Sequence, residues 1–145
     1  MILSGTEIRR RLGTDSLKGD LVIRPFGDSS LQPASYDLRV AEETVLIPGS
    51  CTLAHTLEWI ELPADIAATI RTRSSYGRRG ILVTGGFVDP GFRGQLTLGL
   101  INMGQETVYV ERNDRIVQLI FHQVLGSGQT YEGRYQDSTG IVGAR

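Results

Sequence analysis

The 145 residues, 40% hydrophobic and 21% charged, suffice for one domain (1-145) with a core and fall short of two of ordinary size. A net charge of −1 and a pI near 6.1 exclude a general nucleic-acid binder, which carries a clearly basic surface. The single cysteine, Cys51, excludes an intrachain disulfide and a thiolate metal cluster within one chain.

Arg9, Arg10 and Arg11 stand where a signal peptide would need an apolar run, and no apolar run approaches membrane-spanning length, so the expected location is the cytoplasm. Ser4-Gly5-Thr6-Glu7 has the spacing of a capping box, Leu3 and Ile8 that of a hydrophobic staple, and Gly13 can end the helix after Leu12. One short N-terminal helix is predicted. Strands follow at 20–25, 43–47, 51–62, 66–73, 106–111 and 115–125, where apolar residues alternate with polar ones or form short β-branched runs between Gly, Pro, Asn and Asp. No helix-length periodic segment comes after residue 13, so the fold class is all-β, a sandwich or barrel.

Between these lies the stretch that carries chemistry. Arg73, Ser74, Ser75 and Arg78 offer guanidinium forks and hydroxyls of the density a polyphosphate needs, although a solvated basic loop reads the same way. Of the 15 basic residues only Lys18 is a lysine, which favours bidentate contact with phosphate or equally reflects composition alone. Asp89, ahead of Pro90 and Gly91, is either a turn-initiating acid or a base held on a rigid corner. His55 and His122 have no metal-ligand spacing and are read as structural. Residues 126–145 alternate glycines with Tyr, Arg, Gln, Ser and Thr and are either disordered or an arm that orders over a ligand.

Residues 32–38 (QPASYDL), 73–78 (RSSYGR), 88–94 (VDPGFRG), 114–121 (DRIVQLIF) and 131–136 (YEGRYQ) resemble, in order, the motifs of the dCTP deaminase and trimeric dUTPase superfamily. The resemblance implies a distorted β-barrel or jelly roll (a dUTPase-like β-clip) with a flexible C-terminal arm. It also implies a homotrimer with active sites shared between subunits, and Mg²⁺ carried on the nucleotide's phosphates rather than on protein ligands. Ser74, Ser75, Arg78 and Gln118 would bind the triphosphate, with Arg73 beside them. Residues 84–89, including Thr84, Gly85 and Phe87, would form a hairpin that receives the base, and Phe92 would lie against the deoxyribose. Arg134 and Thr139 would close the arm over the phosphates.

Deaminases of this superfamily resemble one another in a glutamate, the proton shuttle, at the position held here by Gly99. Glycine transfers no proton, whereas diphosphohydrolysis needs only an aligned water, a carboxylate and polarised phosphates. The expected activity is therefore hydrolysis of dUTP to dUMP and pyrophosphate, with Asp89 activating the water. The alternatives are a dCTP deaminase, a bifunctional dCTP deaminase/dUTPase, or a non-catalytic nucleotide-binding homologue. The Tyr-Gln of the tail follows the deaminases, while its Ser-Thr-Gly resembles the dUTPase arm.

Overall fold

The N-terminal helix forms where the capping pattern puts it. In the computed structural model, which describes residues 1–126 and 128–145, α1 spans Gly5–Arg11 and the Glu7 amide donates to Ser4 Oγ at 3.1 Å. Only half of the capping box is made, because the Glu7 carboxylate takes a charge-assisted bond from Arg10 Nε at 2.8 Å instead of reaching back to the cap. Leu3 and Ile8 are buried, as a staple requires. The helix ends on an extended Leu12, not on a left-handed Gly13. Gly13 serves a close approach instead: a Cβ there would run into the Asp20 side chain.

The predicted strands are present with shorter ends: β1 (Val22–Arg24), β3 (Thr44–Leu46), β4 (Cys51–Glu61), β5 (Ile66–Thr72), β9 (Val108–Val110) and β10 (Arg115–Gln123). With β2 (Tyr36–Arg39), β6 (Ile81–Val83), β7 (Phe87–Val88) and β8 (Arg93–Asn102) they make two four-stranded sheets, β1-β4-β8-β6 and β2-β10-β5-β7, and a ribbon β3-β9. The two sheets and the ribbon contribute to one core that includes Leu38, Leu46, Ile60, Ile66, Leu98, Leu100, Val108, Leu119 and Phe121. They do not hydrogen-bond into a closed cylinder, so the barrel is an open and distorted one.

Along β4, Ala54, Thr56, Glu58 and Ile60 point inward with alternating neighbours turned outward. Glu58 is 0% exposed and survives there because Arg39 gives it a backbone N–H at 3.0 Å and its Nε at 2.7 Å. The register of β4 with β8 shifts between His55 and Trp59, and Thr56 Oγ fills the gap, accepting from the Leu96 amide and donating to the Glu58 carbonyl.

The expectation of no helix beyond residue 13 needs correction for single turns. α2 covers Ser74–Gly77, and 3₁₀ turns lie at Ser16–Lys18 and Asp28–Ser30. α2 buries no residue, so it leaves no hydrophobic period to read. Among the described residues no helix is long and apolar enough to cross a membrane.

Candidate active site

Asp89 follows β7 and starts a tight corner. Its carbonyl accepts the Phe92 amide at 3.2 Å, and with Pro90 next and Gly91 at φ 85° this is a type II turn. Gly91 is required twice, for that φ and because a Cβ would stand 2.5 Å from Thr130 Cβ. The corner holds Asp89, itself exposed, at a cleft of about 350 Å³ walled by Ile70, Val88, Phe92 and Leu96. Asp89 is the one acidic residue among the described residues that line it.

Thr84, Phe87 and Phe92 line this cleft, with Gly86 rather than Gly85 beside them. The expected hairpin at 84–89 is not one. β6 pairs with β8 and β7 with β5, so the chain changes sheets at Gly85 and Gly86, both at positive φ. Crossing between sheets needs backbone conformations that glycine alone adopts cheaply, which is the physical meaning of the Gly-Gly pair. Gly99, buried in β8, forms part of the floor, and its carbonyl accepts the Thr84 amide at 2.8 Å. Glu106 and Glu111 are exposed and line no part of the cleft.

The predicted phosphate residues collect elsewhere. Arg73, Ser74 and Gln118 share a polar cleft of about 310 Å³ with Gln32, Ser35 and Asp37, and Ser35 Oγ donates to Gln118 Oε1 at 3.0 Å. Ser75 faces an adjacent cleft with Arg79 and Arg115, and Arg78 is exposed and lines neither. Arg73 is not the free guanidinium that the motif suggested. Its Nε lies 3.0 Å from Asp37, and its Nη1 donates to the Arg115 carbonyl. Asp37 is 2% exposed; burial pushes its carboxyl above the ordinary value, against the pull of Arg73 and Arg115. None of Arg73, Ser74, Ser75, Arg78 and Gln118 lines the Asp89 cleft, so within one chain the two clefts are separate.

The tail packs on its own chain. The Asp137 amide donates to the Arg93 carbonyl at 2.8 Å, the Gln95 amide to the Ser138 carbonyl at 2.8 Å, and the Gly140 amide to Gln95 Oε1 at 2.7 Å, extending the β8 edge that β6 leaves uncovered. Tyr131, Tyr135, Ser138 and Val142 thereby line the Asp89 cleft, and the Tyr131 ring meets Phe92 edge-on at 5.7 Å. Arg134 and Thr139, expected to close the arm, are exposed and stand outside that cleft; Arg134 Nη1 donates to the Arg145 carbonyl. Composition left the tail either disordered or an ordering arm, because its contacts are mainly backbone and amide hydrogen bonds rather than apolar burial. Gln95 was not singled out for the same reason, and Ser35, Asp37, Tyr131 and Tyr135 only as parts of motifs.

His122 Nε2 meets Thr69 Oγ at 3.0 Å and His55 Nδ1 lies 3.2 Å from the Thr56 carbonyl. No group of three or more His, Cys, Asp or Glu able to hold a metal occurs among the described residues.

The chain is 37% identical over 138 residues to a protein named dCTP deaminase from Thermococcus sibiricus, covering 84% of this chain and 88% of that one. It is likewise 37% identical to the dCTP deaminase of Pyrococcus horikoshii, over 87% of this chain and 91% of the relative. Among solved structures, dCTP deaminase from Agrobacterium tumefaciens superposes with a TM-score of 0.71 at 22% identity, covering 85% of this chain and 47% of that one. The dUTPase of Staphylococcus bacteriophage 80alpha, solved with dUpNHpp, superposes with a TM-score of 0.61 at 17% identity over 78% of this chain and 97% of its own. At those identities the two structures speak for the fold alone. The sequence model of the dCTP deaminase-like family matches residues 41–124, more than half of the length, and with the archaeal relatives it establishes that this chain belongs to that family.

Proposed function

We propose that the chain is a dUTP diphosphatase that releases dUMP and pyrophosphate, with Asp89 orienting and deprotonating the water that attacks the α-phosphorus. The observation that carries this is the cleft itself: among the described residues that line it there is one carboxylate, Asp89, on a rigid turn, and at Gly99 a floor without a side chain. Hydrolytic deamination needs a group that takes a proton from water and gives one to the departing amine, while phosphate-ester cleavage needs an aligned water and charge stabilisation.

Ser74, Ser75, Arg78 and Gln118 would bind the triphosphate, joined by Arg134 and Thr139 of the arm. Thr84, Gly85, Phe87 and Phe92 would bound the deoxynucleoside. The hydroxyl, amide and guanidinium groups there suit phosphate oxygens, and the one carboxylate among the lining residues, Asp37, is held by Arg73 and Arg115. Mg²⁺ would come with those phosphates and neutralise their charge. The separation of the two half-sites supports a homotrimer in which one subunit's Ser74 and Gln118 meet another's Asp89.

A second reading, deamination of dCTP with or without dUTP hydrolysis, is favoured by the names of the archaeal relatives. A non-catalytic nucleotide-binding role is disfavoured by Asp89. Incubation with dUTP and dCTP in turn, with Mg²⁺ and chromatographic separation of products, distinguishes them. The proposed activity gives dUMP and pyrophosphate from dUTP and leaves dCTP intact. Ammonia from dCTP establishes the second reading, and tight dUTP binding without turnover the third.

A further inference from the structure

Among the described residues, a single side chain hydrogen-bonds to the Asp89 corner from outside. Gln136 Nε2 donates to the Gly91 carbonyl at 2.8 Å and to the Tyr131 carbonyl at 3.3 Å, while its Oε1 accepts the Arg93 amide at 2.8 Å. The Gly91 amide and the Phe92 carbonyl are bonded to Leu62, the residue after β4. The Gly91 carbonyl and Arg93 amide bond instead to Gln136 of the arm. One primary amide thus supplies the donor and acceptor that a neighbouring strand would have given.

Around it the Tyr131 amide donates to the Pro90 carbonyl at 2.7 Å and the Asp137 amide to the Arg93 carbonyl at 2.8 Å. The carbonyls of Pro90 and Gly91, the two residues after Asp89, therefore bond to the arm. We propose that Gln136 is a positioning residue for Asp89: it makes the seating of the C-terminal arm and the geometry of the Asp89-Pro90-Gly91 corner a single event. The proposal deepens the hydrolase reading and rests on it for the role of Asp89.

Glutamine is suited to this because its planar head carries both a donor and an acceptor. A glutamate keeps the acceptor, loses both donors and turns a charge toward two carbonyl oxygens. A leucine of similar reach keeps neither. Gln136→Glu and Gln136→Leu, in the full chain, are compared with wild type by amide hydrogen exchange and by dUTP turnover. Exchange of the Arg93 amide is expected to rise about tenfold or more in both, with the Leu100 amide of β8 unchanged, and kcat to fall about tenfold with a smaller change in KM.

An unchanged Arg93 exchange rate overturns the clamp. Faster Arg93 exchange with kcat intact overturns the positioning role and leaves a residue that only ties down the arm. Wild-type protein that binds dUTP without turning it over overturns the hydrolase reading, and the clamp is then decided by the Arg93 exchange alone.

Discussion

Thr84 and Gly99 occupy one space: a Cβ on Gly99 would fall inside the contact radius of Thr84 Oγ, while the Thr84 amide donates to the Gly99 carbonyl at 2.8 Å. Gly99 is therefore a packing partner as well as the position where an acid is missing. Gly99→Glu is expected to force Thr84 to rotate away and to release no ammonia from dCTP, measured by a coupled ammonia assay. Gly99→Ala should lower stability by about 1–3 kcal/mol through the same overpacking, and Thr84→Gly in that background should recover much of it in a denaturant titration.

Asp89→Asn keeps the turn, since asparagine starts one as readily, but removes the base. Turnover of dUTP is expected to fall by about 10²- to 10⁴-fold, the usual worth of a general base, with nucleotide affinity little changed. Steady-state kinetics and titration calorimetry on the same preparation read both. Full activity would remove Asp89 from the mechanism.

Because the Asp89 cleft holds none of the residues proposed to bind phosphate, a variant lacking one proposed half-site should be complemented by a variant lacking the other. Asp89→Asn and Ser74→Ala proteins, each of low activity, are expected to regain turnover when unfolded and refolded together. Activity of the mixture no greater than the sum of the parts would place the complete site in one subunit. The solution mass of wild type, by light scattering, reports the assembly independently.

Glu58 is fully buried and its carboxyl is raised above the ordinary value by burial, with Arg39 pulling the other way. Removing the guanidinium in Arg39→Ala leaves a buried carboxylate without its charged partner and is expected to cost about 3 kcal/mol at pH 8. An acid whose folded pKa is raised favours the fold when protonated and loses that contribution as pH rises through the raised pKa. The deficit of the variant should therefore shrink as pH falls through the raised pKa toward the ordinary glutamate value of about 4.3, followed by thermal unfolding across pH.

The strands were legible because β4, β5 and β10 alternate or run β-branched between turn residues, and that pattern depends on local chemistry alone. The Ser4 cap and the Leu3/Ile8 staple were legible for the same reason. The sheet change at Gly85-Gly86 was not, because two glycines before a short strand look the same in a hairpin and in a crossover. The tie between Arg73 and Asp37 joins residues far apart in the chain, and nothing local marks which guanidinium will be held by a buried acid. The seated arm escaped for another reason: the contacts of Gln136 and Gln95 are hydrogen bonds from uncharged amides, which have no period and no hydrophobic signature.

The most direct test runs the wild-type protein with Mg²⁺ in heavy-oxygen water, once with dUTP and once with dCTP, and reads the products by mass spectrometry. Attack on the α-phosphorus by a water held at Asp89 predicts one heavy oxygen in dUMP, none in pyrophosphate, and unaltered dCTP. A heavy oxygen on the pyrimidine ring with ammonia released from dCTP, or dUTP left whole, would contradict it.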